Sequence, residues 1–243
     1  MAKRSFHGST EPARDSLVNR TLIEDAYTRL RDDIIEGHLA PGERLRVEHL
    51  KARYSVGAGT LREAITRLVS DALVVAEGQR GFSVGPMTLD DLEDLTQLRL
   101  QIEIEALRRS IRNGDATWRK ELQHAYDELA KIEQPLQPRD RTRWEALNAR
   151  FHEALVAACE SPWTLKVLRM LARHSERYRR YTVNLADAGR DVHAEHRLIF
   201  ESAMAGLEAR AALALEAHIR ATPDLLTRAH WEPPSPEPRR HSA

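Results

Sequence analysis

Three histidines and one asparagine have the types and spacing most able to do chemistry. Asn148 and His152 lie four residues apart in a stretch where Leu147, Phe151, Leu155 and Val156 recur at helical spacing. Side chains four apart share one helix face, about one turn from each other. His196 and His218 follow in two later segments, each beside apolar residues (Leu198 and Ile199; Leu215 and Ile219). Three imidazoles and one amide oxygen converging from three helices would make an open divalent-cation site, for zinc first, with nickel or manganese as alternatives. Taken singly, each histidine reads first as a hydrogen-bonded core residue, and spacing alone leaves both explanations standing. A three-histidine site with an open position also describes a hydrolytic metalloenzyme. Against that alternative, the chain has no His-Glu-x-x-His motif and no carboxylate evidently placed as a general base.

A second group of candidates is basic. From Arg44 to Arg80 seven basic residues outnumber four acidic ones, although over the whole chain 37 Lys and Arg balance 37 Asp and Glu. The overall balance announces no polyanion binder, and the local excess is a modest electrostatic footprint.

These side chains need elements to hold them. The 243 residues give room for one large or two modest domains, and 42% hydrophobic with 30% charged residues excludes global disorder. Aromatics are only 5%, and Leu, Ala, Arg and Glu dominate, which favours helices. The longest apolar run, Ala154–Cys159, is far short of the roughly 20 residues that span a bilayer. Residues 1–10 carry no apolar segment, so no secretory signal is expected, and a cytoplasmic location follows as the default. The single cysteine, Cys159, excludes an internal disulfide and any Cys-based zinc knuckle.

Residues 1–18 read as a loose tail and residues 231–243, rich in proline, as another. A composition change at Gly85-Pro86-Met87 divides the rest into domains over 19–86 and 87–230. In the first, Ile23, Ala26, Tyr27, Leu30 and Ile34 mark a helix ended at Gly37. A short helix over Val47–Arg53 follows, then a helix starting near Thr60 whose buried stripe is Leu61, Ala64, Ile65 and Leu68. Leu73–Ala76 and Gly81–Val84 are short strands around a Gly-bearing turn. This order makes a winged helix-turn-helix. The second domain reads as about six helices, near 88–112, 116–133, 140–160, 163–184, 188–205 and 207–229. Thr88, Asp115, Ser161 and Asp187 are their expected starts, and short loops imply an antiparallel bundle. The fold class is therefore mainly α.

Three stretches of the first domain, Ile34–Leu45, Ser55–Ile65 and Gly78–Val84, resemble the DNA-binding half of GntR-family bacterial transcription regulators. Pro-Gly-Glu-Arg-Leu and Leu-Arg-Glu-Ala-Ile are the most specific parts. Phe151-His152, Glu195-His196-Arg197 and Ala217-His218-Ile219 resemble the metal-bearing ligand domain of the FCD branch, in its smaller VanR-like form. The resemblance covers about residues 20–228.

The resemblance implies that Arg62 faces DNA, with Arg46, Thr60 and the wing residues Gln79, Arg80 and Gly81 beside it. Ala58 and Thr60 stand where the family usually has Arg and Pro, so the base contact of that Arg is not carried over. Physical chemistry agrees independently. A helix fits the major groove, an Arg near its start reaches guanine or a phosphate, and free N–H groups suit a phosphate. Within the bundle, the resemblance implies a metal held by Asn148, His152, His196 and His218. It also implies a small acid whose carboxylate meets Arg99, with Asn148 either a ligand of the metal or a contact of the acid. Family members often have Asp where Asn148 stands, and an amide is the weaker donor. Glu103, four residues on, offers Arg99 a simple helix-face partner instead. The expectation is a homodimeric repressor, reading two-fold-related half-sites and released by a dicarboxylate or a hydroxy or oxo acid.

Overall fold

The computed structural model describes residues 11–78, 81–134, 136–182 and 190–232. The chain divides into two compact units, the first reaching Pro86 and the second beginning at Met87.

In the first unit, α1 (Glu11–Ile35), α2 (Val47–Tyr54) and α3 (Ala58–Ser70) precede β1 (Val74–Ala76) and β2 (Phe82–Val84). Helix α1 begins inside the stretch read as a loose tail. Its apolar periodicity starts only near Ile23, but Pro12 at its second position and the helix formers behind it let the backbone coil earlier. Ala26, Tyr27, Leu30 and Ile34 then bury one face against Leu61, Ala64, Ile65 and Leu68 of α3. Four of these eight side chains are Leu or Ile from α3 or its partner at full burial, each contributing about 1.5–3 kcal/mol. Helix α3 starts two residues before the expected Thr60, because Gly57 takes the extended cap conformation and Ala58 can open the helix. The strands pair antiparallel in the register Val74↔Val84, Val75↔Ser83, Ala76↔Phe82. Two three-residue strands are marginal alone. The preceding loop supports them, with Leu45 N–H donating to Phe82 O at 2.8 Å and Val84 N–H to Glu43 O at 2.8 Å. Gly81 at φ +92° makes the turn into β2, while Gln79 and Arg80 lie outside the described residues.

The second unit is built from α4 (Leu89–Asn113), α5 (Ala116–Ile132), α6 (Arg141–Val156), α7 (Pro162–Thr182), α8 (Val192–Met204) and α9 (Glu208–Arg228). Six helices match the number read from periodicity. Capping explains most of the starts: Thr88 Oγ1 accepts from Asp91 N–H at 3.0 Å, Asp115 Oδ1 from Trp118 N–H at 2.8 Å, and Ser161 Oγ from Thr164 N–H at 3.3 Å. The start assigned to Asp187 falls outside the described residues; the cap of α8 is Asp191, which accepts from Ala194 N–H at 2.9 Å. Helix α6 ends at Val156, four residues short of expectation. The apolar run continues past it because Cys159 is buried in the following turn, where Glu160 adopts φ +55°. The core joins Leu107, Leu122, Leu129, Phe151, Leu155, Ile199 and Leu215, and Tyr126 stacks on Phe200 with centroids 4.1 Å apart. Helix α9 packs against α4, α7 and α8, and α4 also meets α6. That arrangement brings four histidine- and arginine-bearing helices to one interior.

Candidate functional site

His152 on α6, His196 on α8 and His218 on α9 meet in that interior, and their ligating atoms all lie within 4.8 Å of one another. Ring centroids are 4.7 Å apart for His196 and His218 and 5.0 Å for His152 and His218. Each imidazole is fixed from behind by a carboxylate. His152 Nδ1 lies 3.0 Å from Glu103 Oε1, His196 Nδ1 2.8 Å from Glu133 Oε1, and His218 Nδ1 2.8 Å from Glu195 Oε2. An ionised carboxylate only accepts, so each Nδ1 carries a proton and each Nε2 is the atom left for a ligand. Carboxylate–histidine pairs of this kind orient metal ligands and raise their basicity.

The residues fit a divalent cation on two further observations. His196 Nε2 and Asn148 Oδ1 are buried without a hydrogen-bond partner among the described residues. Asn148 is 3% exposed and sits one turn before His152 on α6. An unpaired buried donor or acceptor costs about 1–3 kcal/mol, which a cation at this point would remove. Burial, followed by the neighbouring His196 and His152 and by Arg190, holds His218 well below the ordinary imidazole range. Burial also lowers His152, against the pull of Glu103. Neutral imidazole is the ligating form. For Glu103, burial acts upward, but the Arg99 charge and the His152 hydrogen bond outweigh it and bring the carboxyl down to about 2.

A small cavity of about 20 Å³ lies beside the histidines and opens toward solvent. His152, His218, Arg99, Arg179, Ser175 and Thr96 supply its polar lining. Arg99 is buried and donates through Nε and Nη2 to Glu103 Oε2, at 3.1 and 2.7 Å. The helix-face pairing with Glu103 is therefore present, and Arg99 still faces the cavity. Pro223 in α9 also lines it and has no N–H, so Ile219 C=O in the same wall loses its usual helical donor.

In the first unit, Arg62 lies on the exposed side of α3 and its guanidinium has no hydrogen bond or ion pair among the described residues. Thr60 is half-buried in the first turn of α3, and no side chain caps that end, so its leading N–H groups are open. Arg46 is exposed at the start of α2, where it makes no cap bond. Gly81 is half-buried. Of the expected wing residues, Gln79 and Arg80 cannot be placed on this face because they lie outside the described residues.

Comparison with known proteins accounts for both units. The FCD domain family matches residues 94–221, and the family of bacterial regulatory proteins named gntR matches residues 22–84. An uncharacterized HTH-type transcriptional regulator, BphR of Paraburkholderia xenovorans strain LB400, is 44% identical over 207 residues, covering 84% of each chain. The chain belongs to the GntR family. The HTH-type transcriptional repressor GlaR of Escherichia coli K12 is 31% identical to this GntR-family chain over 200 residues, 80% of it and 91% of GlaR. Among solved structures, E. coli McbR/YncC superimposes with TM-score 0.70 at 19% identity, covering 86% of this chain and 99% of that one, a likeness of fold. A GntR regulator of Rhodococcus sp. RHA1 gives TM-score 0.68 at 23% identity, covering 85% and 98%. These families and named relatives are transcriptional regulators, so the GntR chain is a regulator and not a metalloenzyme.

The GntR-family site also includes residues that no motif marks. His193 Nδ1 lies 3.2 Å from Glu133 Oε2, and its ring also meets Gln134. Glu133 is a hub, accepting from Trp144 Nε1 at 2.8 Å as well as from the two histidines. Burial acts to raise it, and its bonds with His196, Trp144 and His193 bring it below the usual carboxylate range. No spacing signal pointed to it, since it lies past the end of α5. Glu195 could have been found, as it directly precedes His196 and falls on the side of α8 that meets α9.

Proposed function

We propose that this protein is a DNA-binding repressor whose operator affinity is set by a small carboxylic acid bound beside a divalent cation in the helical domain. Asn148, His152, His196 and His218 would hold the cation, zinc before nickel or manganese. The observation that carries the reading is the shared cavity: two of the three carboxylate-backed histidines line it together with Arg99. A cation there supplies positive charge and open coordination positions to an acid's carboxylate. Arg99 supplies planar N–H donors that match a carboxylate fork. Leu92, Ile219 and Pro223 keep the rest of the wall apolar.

The exposed face of α3 supports the DNA half of the proposal. Arg62, Thr60 and Arg46 would contact an operator, with Gln79, Arg80 and Gly81 at the wing, and a homodimer would read two-fold-related half-sites. The ligand acts by binding one bundle shape better than another, so its differential affinity sets the change in operator binding. No helix among the described residues is long and apolar enough to cross a membrane, in keeping with a DNA partner.

A gel-shift on the DNA upstream of the chain's own gene tests the proposal, run with zinc-loaded and chelated protein and with candidate acids. Binding that an acid weakens only in the zinc-loaded protein is expected. Operator binding indifferent to every acid and to the cation overturns it.

A further inference from the structure

Two arginines, Arg99 buried and Arg179 partly buried, reach the cavity from helices far apart in sequence. Arg99 comes from α4 and Arg179 from α7, with side chains 10% and 15% exposed. They are paired in the same way. Arg179 donates through Nε and Nη2 to Glu145 Oε2, at 3.3 and 2.8 Å, as Arg99 does to Glu103 Oε2. A guanidinium carries five N–H donors. Each pairing uses the Nε edge and leaves the Nη1–Nη2 edge with N–H groups that have no partner among the described residues. That second edge has the geometry for a bidentate carboxylate. Meanwhile Glu145 Oε1 is buried with no hydrogen bond, so the partner of Arg179 is only half-satisfied.

Of the hydroxyls in the lining, Thr96 and Ser175 have their protons committed to Leu92 O and Leu171 O, at 2.7 and 3.0 Å, while Thr222 accepts from Arg190 Nη1 at 3.1 Å and can still donate. Leu92, Ile219 and Pro223 are apolar. Every side chain offered to the cation is neutral, and the carboxylates of Glu103, Glu133 and Glu195 behind the histidines would offset part of its charge. Such a lining has cationic points and an apolar remainder.

We propose that Arg179 is a second anchor for the effector and that the effector is a small diacid. One carboxylate is held by Arg99 and the histidine site, the other by the free edge of Arg179, with a methylene linker against the apolar wall. The proposal rests on the carboxylate-effector reading above; it adds a second anchoring residue and, among the acids already expected, selects the dicarboxylate. A monoacid of equal length would leave the Arg179 edge unpaired, and a hydrogen bond to a charged group sets the penalty at about tenfold to a hundredfold in affinity.

The test is calorimetry on the full-length, zinc-loaded protein. Dicarboxylates from oxalate to adipate are each compared with the monocarboxylate of the same chain length. At least one diacid should bind about tenfold to a hundredfold more tightly than its monoacid. In the Arg179→Gln, Glu145→Gln double variant, which removes both charges of the pair, that ratio should fall to near one. Arg179→Lys keeps a charge for Glu145 but removes the fork, and should lower the ratio by about tenfold, which covers the case where the double variant does not fold. Equal binding of diacids and monoacids overturns the proposal while leaving a carboxylate effector standing. So does a diacid preference that survives in the variants. Failure of every acid to bind overturns the carboxylate reading itself, and this proposal with it.

Discussion

Removing divalent cations should lower the melting temperature of the helical unit. Three imidazoles are already oriented by Glu103, Glu133 and Glu195, so a cation has little side-chain order left to impose. It would also satisfy His196 Nε2 and Asn148 Oδ1, which are buried and unpartnered. The unfolded chain offers no such cluster, so binding favours the folded state by RT ln(1 + [L]/Kd), about 2.7 kcal/mol when the cation stands at 100 times its Kd. In a unit of roughly 150 residues each kcal/mol moves the midpoint by about 2–4 °C, giving a drop of about 5–11 °C on chelation. Elemental analysis should find about one divalent ion per chain, and melting curves with chelator, then with added zinc or nickel, should recover the loss. A protein that holds no metal after dialysis against both ions, and melts at one temperature throughout, would mean that His152, His196 and His218 are structural.

Other consequences follow from single residues. Glu133→Gln should weaken cation affinity by about 10- to 100-fold, since it turns an anionic acceptor behind His196 into an amide; competition against a zinc chelator measures it, and an unchanged affinity denies Glu133 any orienting role. Arg62→Ala should cost operator binding about 1–3 kcal/mol if the side chain reads a base. If it touches only phosphate, scrambled DNA should lose as much and the salt slope should drop by about one, and no change on either DNA removes α3 as the recognition helix. Arg99→Lys keeps a cation beside Glu103 but removes the fork, so an acid response of about 5- to 150-fold in operator affinity should largely vanish; a normal response places the acid elsewhere. Phe151→Ala empties a fully buried site that touches His196 edge-on, at 5.3 Å between centroids, and should cost about 3–5 kcal/mol in chemical denaturation.

Periodicity carried the elements well where one face of a helix is buried, as in α3 with Leu61, Ala64, Ile65 and Leu68. Boundaries were legible where a side chain makes the cap, as at Thr88 and Asp115, and were missed where backbone conformation decides. Gly57 starts α3 without a cap bond, and the turn after Val156 buries Cys159 although the apolar run reads on as helix. The histidines were legible as a set through the resemblance of their three motifs to the FCD branch, since their apolar stripes alone leave a core explanation standing. Glu103 and Glu133 were not legible as their partners, because they lie far off in sequence: Glu103 49 residues before His152, and Glu133 63 before His196. A charge in a helical sequence looks like a solvated face until packing places something over it. Arg179 is the same case, one of several arginines near the end of α7, distinguished only by which way that helix is turned.

On the proposed function, Glu103 would join the cation and acid sites into one thermodynamic system. Its Oε2 takes both N–H groups of Arg99, and its Oε1 meets His152 Nδ1. Both bonds are buried and both depend on the same negative charge, so neither partner can change its demand on that carboxylate without altering the other. An acid that draws on Arg99 from the cavity competes with Oε2 for the guanidinium and leaves more of the Glu103 charge to polarise His152, making the imidazole a stronger donor at Nε2. A cation at Nε2 works the same link in reverse: it acidifies the Nδ1 proton, shifts the carboxylate toward His152 and loosens its hold on Arg99. Binding free energies couple reciprocally, so the factor by which the acid tightens the cation equals the factor by which the cation tightens the acid. With both ligands bound as proposed, the buried Arg99–Glu103 pair would couple them, a role beyond fold stability, for which a buried ion pair is in any case a weak device.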